Sequence, residues 1–337
     1  MRCVVSPWVL CYNAATRPTR QEGKLSKGEG EMAKRIVFMG AGAVGSYVGG
    51  HIARSGEDVT LIDPWPEHIE TIKNSGLHVS NTQGEFTVHV RALHLHEVQS
   101  LFKTPVDMAF ICTKSYDTEW ATMMIKQYLA PDGFMVSLQN SINEERIANI
   151  VGWGKVVGCI ASTISVNAYK AGHVMRTTQP GGAAYTIFRV GEVHGRITQR
   201  VQDLARMLSP IDSTKVTTNL WGERWTKLTM NAMGNGVSAV TGLNSKGMVT
   251  LEAPRRLSIR LGGEAIRVGQ ALGFELESMQ GMPPEKWVAA AAGDPAALEE
   301  VEGAILSRLK RLTEEGRPST AQDILKGRRT EIDFING

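Results

Sequence analysis

"KRIVFMGAGAVGSYVGGHIARSGEDVTLID", residues 34–63, decides the fold. Its apolar run 36–39 ends on glycine, "AVGSYVGGHIARSG" follows with helical spacing, and "DVTLID" returns to a buried strand. Between the first strand and the helix, Gly40, Gly42 and Gly45 stand in Gly-x-Gly-x-x-Gly spacing. Gly40 permits the tight turn, Gly42 lets backbone approach a pyrophosphate, and Gly45 lets helix and strand pack closely. The helix N-terminus adds free N–H donors, so Gly40, Ala41, Gly42, Ala43, Val44 and Gly45 form the expected phosphate cradle of a dinucleotide. Asp63 closes the second strand, 21 residues beyond Gly42. A carboxylate there bonds the ribose hydroxyls of NAD and repels the 2′-phosphate of NADP. Between NAD and NADP, the expectation is NAD; the alternative is that Asp63 only caps the helix after Pro64, which leaves the choice open.

Working outward, "PEHIETIKNSG" predicts a second helix, and glycines close both helices. The apolar runs "DMAFICT" (107–113), "FMVSLQN" (134–140) and "KVVGCIAST" (155–163) continue as buried strands. Strands of this kind alternating with helices specify a Rossmann-type α/β domain with a mostly parallel sheet. "TEWATMMIKQYLAPDG" reads as a helix with a Gly-ended stop. Residues 172–191 read as an antiparallel insertion, "GHVMRTT" and "AAYTIFRVG" flanking a Gly-Gly turn. "ITQRVQDLARMLSPI" returns to helix, and after "KVTTNL" (215–220) nearly everything is helical, with clear amphipathic repeats in "RLSIRLGGEAIRVGQALG" and "ALEEVEGAILSRLKRLTEEG". The expected organisation is a dinucleotide-binding domain over 32–218 and an all-α substrate and dimerisation domain over 219–337. Residues 1–31, with only a faint likeness to a signal or transit peptide, read as a disordered extension or a misplaced start. Trp65, Trp120 and Trp153 read as core.

Composition narrows the function classes. A chain of 337 residues exceeds the usual single core, and 42% hydrophobic with 21% charged residues is ordinary for a globular protein. Of 37 basic and 34 acidic residues, 1–31 hold five and three, leaving 32 and 31 in the body. That near-neutral body lacks the basic field nucleic acid needs. No run of 18 apolar residues occurs, so no membrane span is expected. Cys3, Cys11, Cys112 and Cys159 show no zinc-type spacing, and a reducing cytoplasm fits them best.

Near the second domain's start, "ERWTKLTMNAMGN" (223–235) sets Lys227, Asn231 and Asn235 at four-residue steps. On a helix such steps advance about 40°, so the three share one polar stripe. A solvated face usually takes Glu, Lys, Arg or Gln, whereas Asn costs roughly 0.5 kcal/mol against Ala. The stripe is therefore suited to hydrogen bonding of a small-molecule substrate, and Lys227 to protonating an oxygen whose carbon receives hydride.

With "GAGAVG", "CTKSYDT" (112–118), "LQNSINEE" (138–145), "WTKLTMN" (225–231) and "PSTAQDILKGRRTEID" (318–333) in this order, the chain from residue 34 onward resembles the ketopantoate reductase family. The resemblance implies a Rossmann domain followed by a helical domain of the 6-phosphogluconate dehydrogenase C-terminal kind. It also implies NAD(P)-dependent reduction of a 2-keto acid, 2-dehydropantoate or an analogue, to the 2-hydroxy acid. By the same resemblance Lys227 is the general acid/base, Asn231 binds substrate, and Ser319 binds its carboxylate side. Glu331 assists near the lysine, the reacting hydroxyl and the cofactor. Lys114 and Asn140 line the cofactor and the cleft, and Asn235 matches a further polar position.

Each residue also has a plain structural alternative. Ser319 heads a Ser-x-x-Gln capping box, Glu331 suits a surface ion pair with Arg328 or Arg329, Lys114 suits a loop, and Asn140 a turn. Two departures stand out: the family's Gln-Asn-Gly reads Gln139, Asn140, Ser141 here, and Asp63 replaces the basic surroundings of NADP-dependent members. Alternatives to the keto-acid reductase are an NAD-dependent catabolic dehydrogenase of another hydroxy acid or alcohol, and a non-catalytic dinucleotide sensor. Amphipathic faces in the helical half are compatible with a homodimer as well as with a core.

Overall fold

The structure is a computed structural model that describes residues 33–314 and 316–337. The expectation for 1–31, with Cys3 and Cys11, lies outside the described residues. The strands are β1 Arg35–Met39, β2 Asp58–Ile62, β3 Leu77–Asn81, β4 Gly84–Val88, β5 Arg91–Leu93, β6 Val106–Ile111, β7 Leu129–Ser137, β8 Val156–Ala161, β9 Val166–Lys170, β10 His173–Arg176, β11 Phe188–Glu192 and β12 Thr214–Val216. Among them go α1 Ala43–Arg54, α2 Pro66–Ser75, α3 Thr118–Lys126, α4 Glu144–Val151 and α5 Gln199–Leu208. The rest is helical: α6 Leu220–Thr241, α7 Ser245–Thr250, α8 Glu252–Ala271, α9 Pro284–Ala292, α10 Pro295–Leu306, α11 Ser319–Leu325 and α12 Ile332–Ile335.

Among the described residues the main sheet runs β12-β11-β8-β7-β6-β1-β2-β5. Every pairing is parallel except β11 with β8. Alternation along β1 explains why. Ile36 and Phe38 enter one apolar core, Val37 and Met39 another on the opposite face. A sheet covered by helices on both faces is the setting that favours parallel strands. Phe38 stacks on Phe110 of β6, centroids 4.4 Å apart. Met233, Ile259, Ile266, Trp287 and Val301 form a separate core in the helical half. No described helix is long and apolar enough to cross a membrane.

Three local expectations fail. The strands at 172–191 do not form a hairpin: β10 joins a small sheet of order β4-β3-β10-β9, and β11 joins the main sheet. The Gly-Gly step is tied elsewhere. Gly181 donates its N–H to Asp212 at 3.0 Å, and Asp212 forms a buried ion pair with Arg176 at 2.7 Å. The helix expected to run to Gly133 stops at Lys126, and β7 already begins at Leu129. There the register shifts against β6, and a Cβ on Gly133 would lie 2.6 Å from the Val106 carbonyl oxygen; the glycine serves a bulge rather than a helix stop. The tryptophans are not plain core, since Trp120 is 40% and Trp153 48% exposed. Trp153 meets Trp221 edge-on and Trp65 stacks on His68. Large indoles bury a face more often than the whole ring.

Candidate functional site

The glycine turn follows β1. Gly40 has φ 99°, and the Gly40 and Ala41 N–H groups both donate to the Ile62 carbonyl at 2.9 Å. A Cβ on Gly45 would lie 2.1 Å from the Gly40 carbonyl oxygen, so the fold itself requires glycine there. A Cβ on Gly42 would meet nothing within 4 Å. Gly42 thus faces open space, a lining suited to a ligand rather than to packing. Helix α1 starts at Ala43 with no side-chain cap, leaving its first amides available to an anion. At the end of β2, Asp63 accepts the Trp65 N–H at 3.0 Å. It does not cap α2, whose N-cap is Trp65 with no side-chain bond. Burial pushes the Asp63 carboxyl up, opposed by the Trp65 amide and Arg328.

A second set of groups gathers where β6 and β7 end. Lys114 donates to Asp323 at 2.5 Å and to Glu331 at 3.3 Å. Burial alone would lower its pKa, but the two carboxylates outweigh that and hold it above the usual value. Glu331, 3% exposed, also accepts from the Ser115 N–H at 2.8 Å and the Ser115 hydroxyl at 2.9 Å. It is therefore no surface ion pair, and no hydrogen bond or ion pair joins it to Lys227. Its place at the N-cap of α12 turns the carboxylate toward the loop after β6. Asn143 donates to the Asn140 carbonyl at 2.8 Å, which leaves the Asn140 side chain to meet Asn231 at 3.3 Å.

Helix α6 brings the stripe to this place. Arg224, 1% exposed, pairs with Glu144 and donates to the Gln139 carbonyl at 2.7 Å and the Ser137 carbonyl at 3.1 Å. That buried guanidinium fixes α6 against the ends of β7 and α4, one turn before Lys227. The Lys227 side chain is half-buried and, among the described residues, its amine takes no hydrogen bond or ion pair. Burial, with Arg224 and Arg189 nearby, lowers its pKa to about 8. Asn235 is buried and accepts from the Ser319 hydroxyl and the Thr320 N–H, both at 3.3 Å. Ser319 makes no capping box: α11 begins without a side-chain cap.

The structure thus joins Asn140 to Asn231, Asn235 to Ser319, and Lys114 to Glu331, and of these Asn231 and Asn235 lie on the helix that carries Lys227. Sequence reasoning missed Asp323, Ser115, Asn143 and Arg224. Asp323 had one visible signal, its position four residues after Ser319 on the same helix. Ser141, where the family has glycine, adopts φ 64°, a region that disfavours side chains. Buried oxygens of Thr113, Ser141 and Thr320 have no hydrogen-bond partner. Native proteins leave few such groups. Beside Lys114, Asn140 and Ser319, with open space over Gly42, they fit a lining that a bound nicotinamide cofactor and substrate would complete.

The profile described as Ketopantoate reductase PanE/ApbA matches residues 36–187, and that described as Ketopantoate reductase PanE/ApbA C terminal matches 219–337. The 2-dehydropantoate 2-reductase of Pyrococcus horikoshii is 28% identical over 306 residues, covering 90% of this chain and 88% of its own. The PanE/ApbA family ketopantoate reductase of Ralstonia eutropha JMP134 superposes with TM-score 0.70 at 26% identity, over 90% of this chain and 89% of that one. D-Mandelate dehydrogenase, solved with NADH and anilino(oxo)acetate, shares the fold with TM-score 0.73 at 22% identity, covering 90% and 89%. An uncapped glycine turn, a lysine-bearing helix tied to Asn140 and two matched profiles converge: the chain belongs to the ketopantoate reductase family, NAD(P)-dependent oxidoreductases acting on CH–OH.

Proposed function

We propose that the chain reduces a small 2-keto acid, 2-dehydropantoate or a close analogue, to its 2-hydroxy acid, with NAD favoured over NADP. The observation that carries this is Lys227: a half-buried amine with a pKa lowered to about 8 and, among the described residues, no carboxylate paired with it. It lies one helical turn from the Asn231–Asn140 pair. The reduced nicotinamide, when bound, supplies hydride to the keto carbon. Lys227 Nζ donates a proton to the ketone oxygen as negative charge develops there, so C=O becomes CH–OH. Asn140 and Asn231 orient the reacting oxygens. Ser319, held by Asn235, faces the substrate carboxylate. Glu331 holds Lys114 and Ser115 at the cofactor's edge rather than sharing the proton transfer.

The cofactor's phosphates belong at Gly42–Gly45 and its ribose at Asp63, whose second carboxylate oxygen is left by the Trp65 amide to accept hydroxyls. Asp63→Ser should lower the KM for NADPH and raise that for NADH. Unchanged preference would take Asp63 out of cofactor choice. Lys227→Ala, assayed on a panel of keto acids with both cofactors, should lose about 10²–10⁴ in kcat. A kcat equal to wild type would sink the reading. Family membership favours an enzyme over a sensor. The same lysine, deprotonated, serves hydroxy-acid oxidation, so the panel includes the reverse direction.

A further inference from the structure

None of the chemistry above uses His68, on α2, which is 1% exposed. The Gly172 N–H donates to its Nδ1 at 2.9 Å. A backbone amide only donates, so Nδ1 is unprotonated and the ring hydrogen sits on Nε2. Nε2 lies 3.2 Å from the Ser46 hydroxyl, and that hydroxyl donates to the Ala41 carbonyl at 2.6 Å. With its hydrogen committed to Ala41, the Ser46 oxygen must accept from His68. The bonds therefore run in one direction: Gly172 to His68, His68 to Ser46, Ser46 to Ala41. Burial holds the imidazole below its ordinary pKa, against a smaller opposing pull from Ala41, which favours the neutral ring these bonds require.

Ala41 belongs to the glycine turn, and its peptide plane is the one that matters. In a planar trans peptide the Ala41 carbonyl and the Gly42 N–H point opposite ways. Drawing the carbonyl inward to Ser46 aims the Gly42 N–H outward, where a Cβ on Gly42 would meet nothing. The His68 ring also stacks on Trp65, 5.1 Å between centroids and 10° between planes, and the Trp65 amide holds Asp63. One buried side chain therefore touches the supports of both the phosphate turn and the ribose carboxylate. We propose that His68, as its Nε2–H tautomer, is a positioning residue for dinucleotide binding, fixing the glycine turn through Ser46. The proposal rests on the reading that the dinucleotide occupies this turn.

Two substitutions split the ring's bonds. Asn at 68 places an oxygen where Nδ1 was, keeping Gly172 and losing Ser46; Gln reaches Ser46 and loses Gly172. NADH titration by fluorescence should show His68→Asn and Ser46→Ala each weakening binding about tenfold, the scale of one lost buried hydrogen bond. Together they should cost little more than either alone, because they cut the same link. His68→Gln should bind near the wild-type level, and kcat at saturating NADH should be unchanged in all. In the cofactor-free protein, amide exchange at Gly42 and Ala43 should be faster in His68→Asn and Ser46→Ala. Folded Asn and Ser46→Ala variants that bind NADH like wild type would overturn the proposal, as would equal losses in Asn and Gln with a matching fall in Tm. If His68→Asn does not fold, Ser46→Ala, which removes one hydroxyl, decides alone. Wild-type protein that binds neither NADH nor NADPH would refute the dinucleotide reading instead, and amide exchange would still report on the His68 link.

Discussion

Burial beside Arg224 and Arg189 brings Lys227 down to about 8, and the sign of that shift reaches both kinetics and stability. Reduction needs the ammonium, so its rate should fall as pH rises through about 8, while oxidation needs the free amine and should rise over the same range. Lys227→Arg, a group that does not deprotonate in proteins, should lose the oxidation limb outright. A profile identical in wild type and Lys227→Arg would assign the titration to another group. From about 8 to 10.5 the unfolded chain binds the proton that the folded one has released. This residue's contribution to stability therefore rises with pH across that window, and Lys227→Met should flatten the rise in denaturant titrations. Lys227, Asn231 and Asn235 were legible in sequence because helical spacing converts a step of four into a shared face. Glu331's partner was not, since Lys114 lies 217 residues away in sequence. Arg224 was hidden for a related reason: nothing local distinguishes a buried arginine from a solvated one, and Glu144 is 80 residues distant.

Helix α1 and its turn separate fold from function within six residues. Gly45→Ala drives a methyl into the Gly40 carbonyl and should unfold the domain or lower its Tm sharply. Gly42→Ala adds a methyl to open space, so it should keep its Tm while the KM for the dinucleotide rises several-fold; equal KM values would place the cofactor elsewhere. Helix α6 depends on its anchor. Glu144→Ala leaves the Arg224 charge buried and unpaired, which should destabilise the protein by about 3–5 kcal/mol in urea unfolding. The central strands were readable because apolar residues on both faces leave few other folds. The 172–191 segment was not, because a Gly-Gly pair signals a turn without saying which sheet each flank joins. The tie between Gly181 and Asp212 that decides it spans 31 residues.

Across the whole molecule, α11 and α12 return from the helical half to the Rossmann half and are held by a few polar contacts. Lys114 binds Asp323 and Glu331, the Tyr116 hydroxyl donates to the Arg329 carbonyl at 3.3 Å, and Arg329 lies over the Tyr116 ring. Glu331→Ala leaves the Ser115 amide and Lys114 short of a partner and should cost about 1–3 kcal/mol. Amide exchange across 319–337 should quicken in that variant; unaltered protection would mean the segment is held by packing alone. The main sheet has a further property at its borders. Both outermost strands, β5 and β12, are only three residues long. A border that short presents too few free amides and carbonyls to template another chain. Amyloid-like growth or strand swapping between molecules should therefore start from the longer outer strands of the small sheet, β4 and β9, and a proline in either is the change expected to slow it.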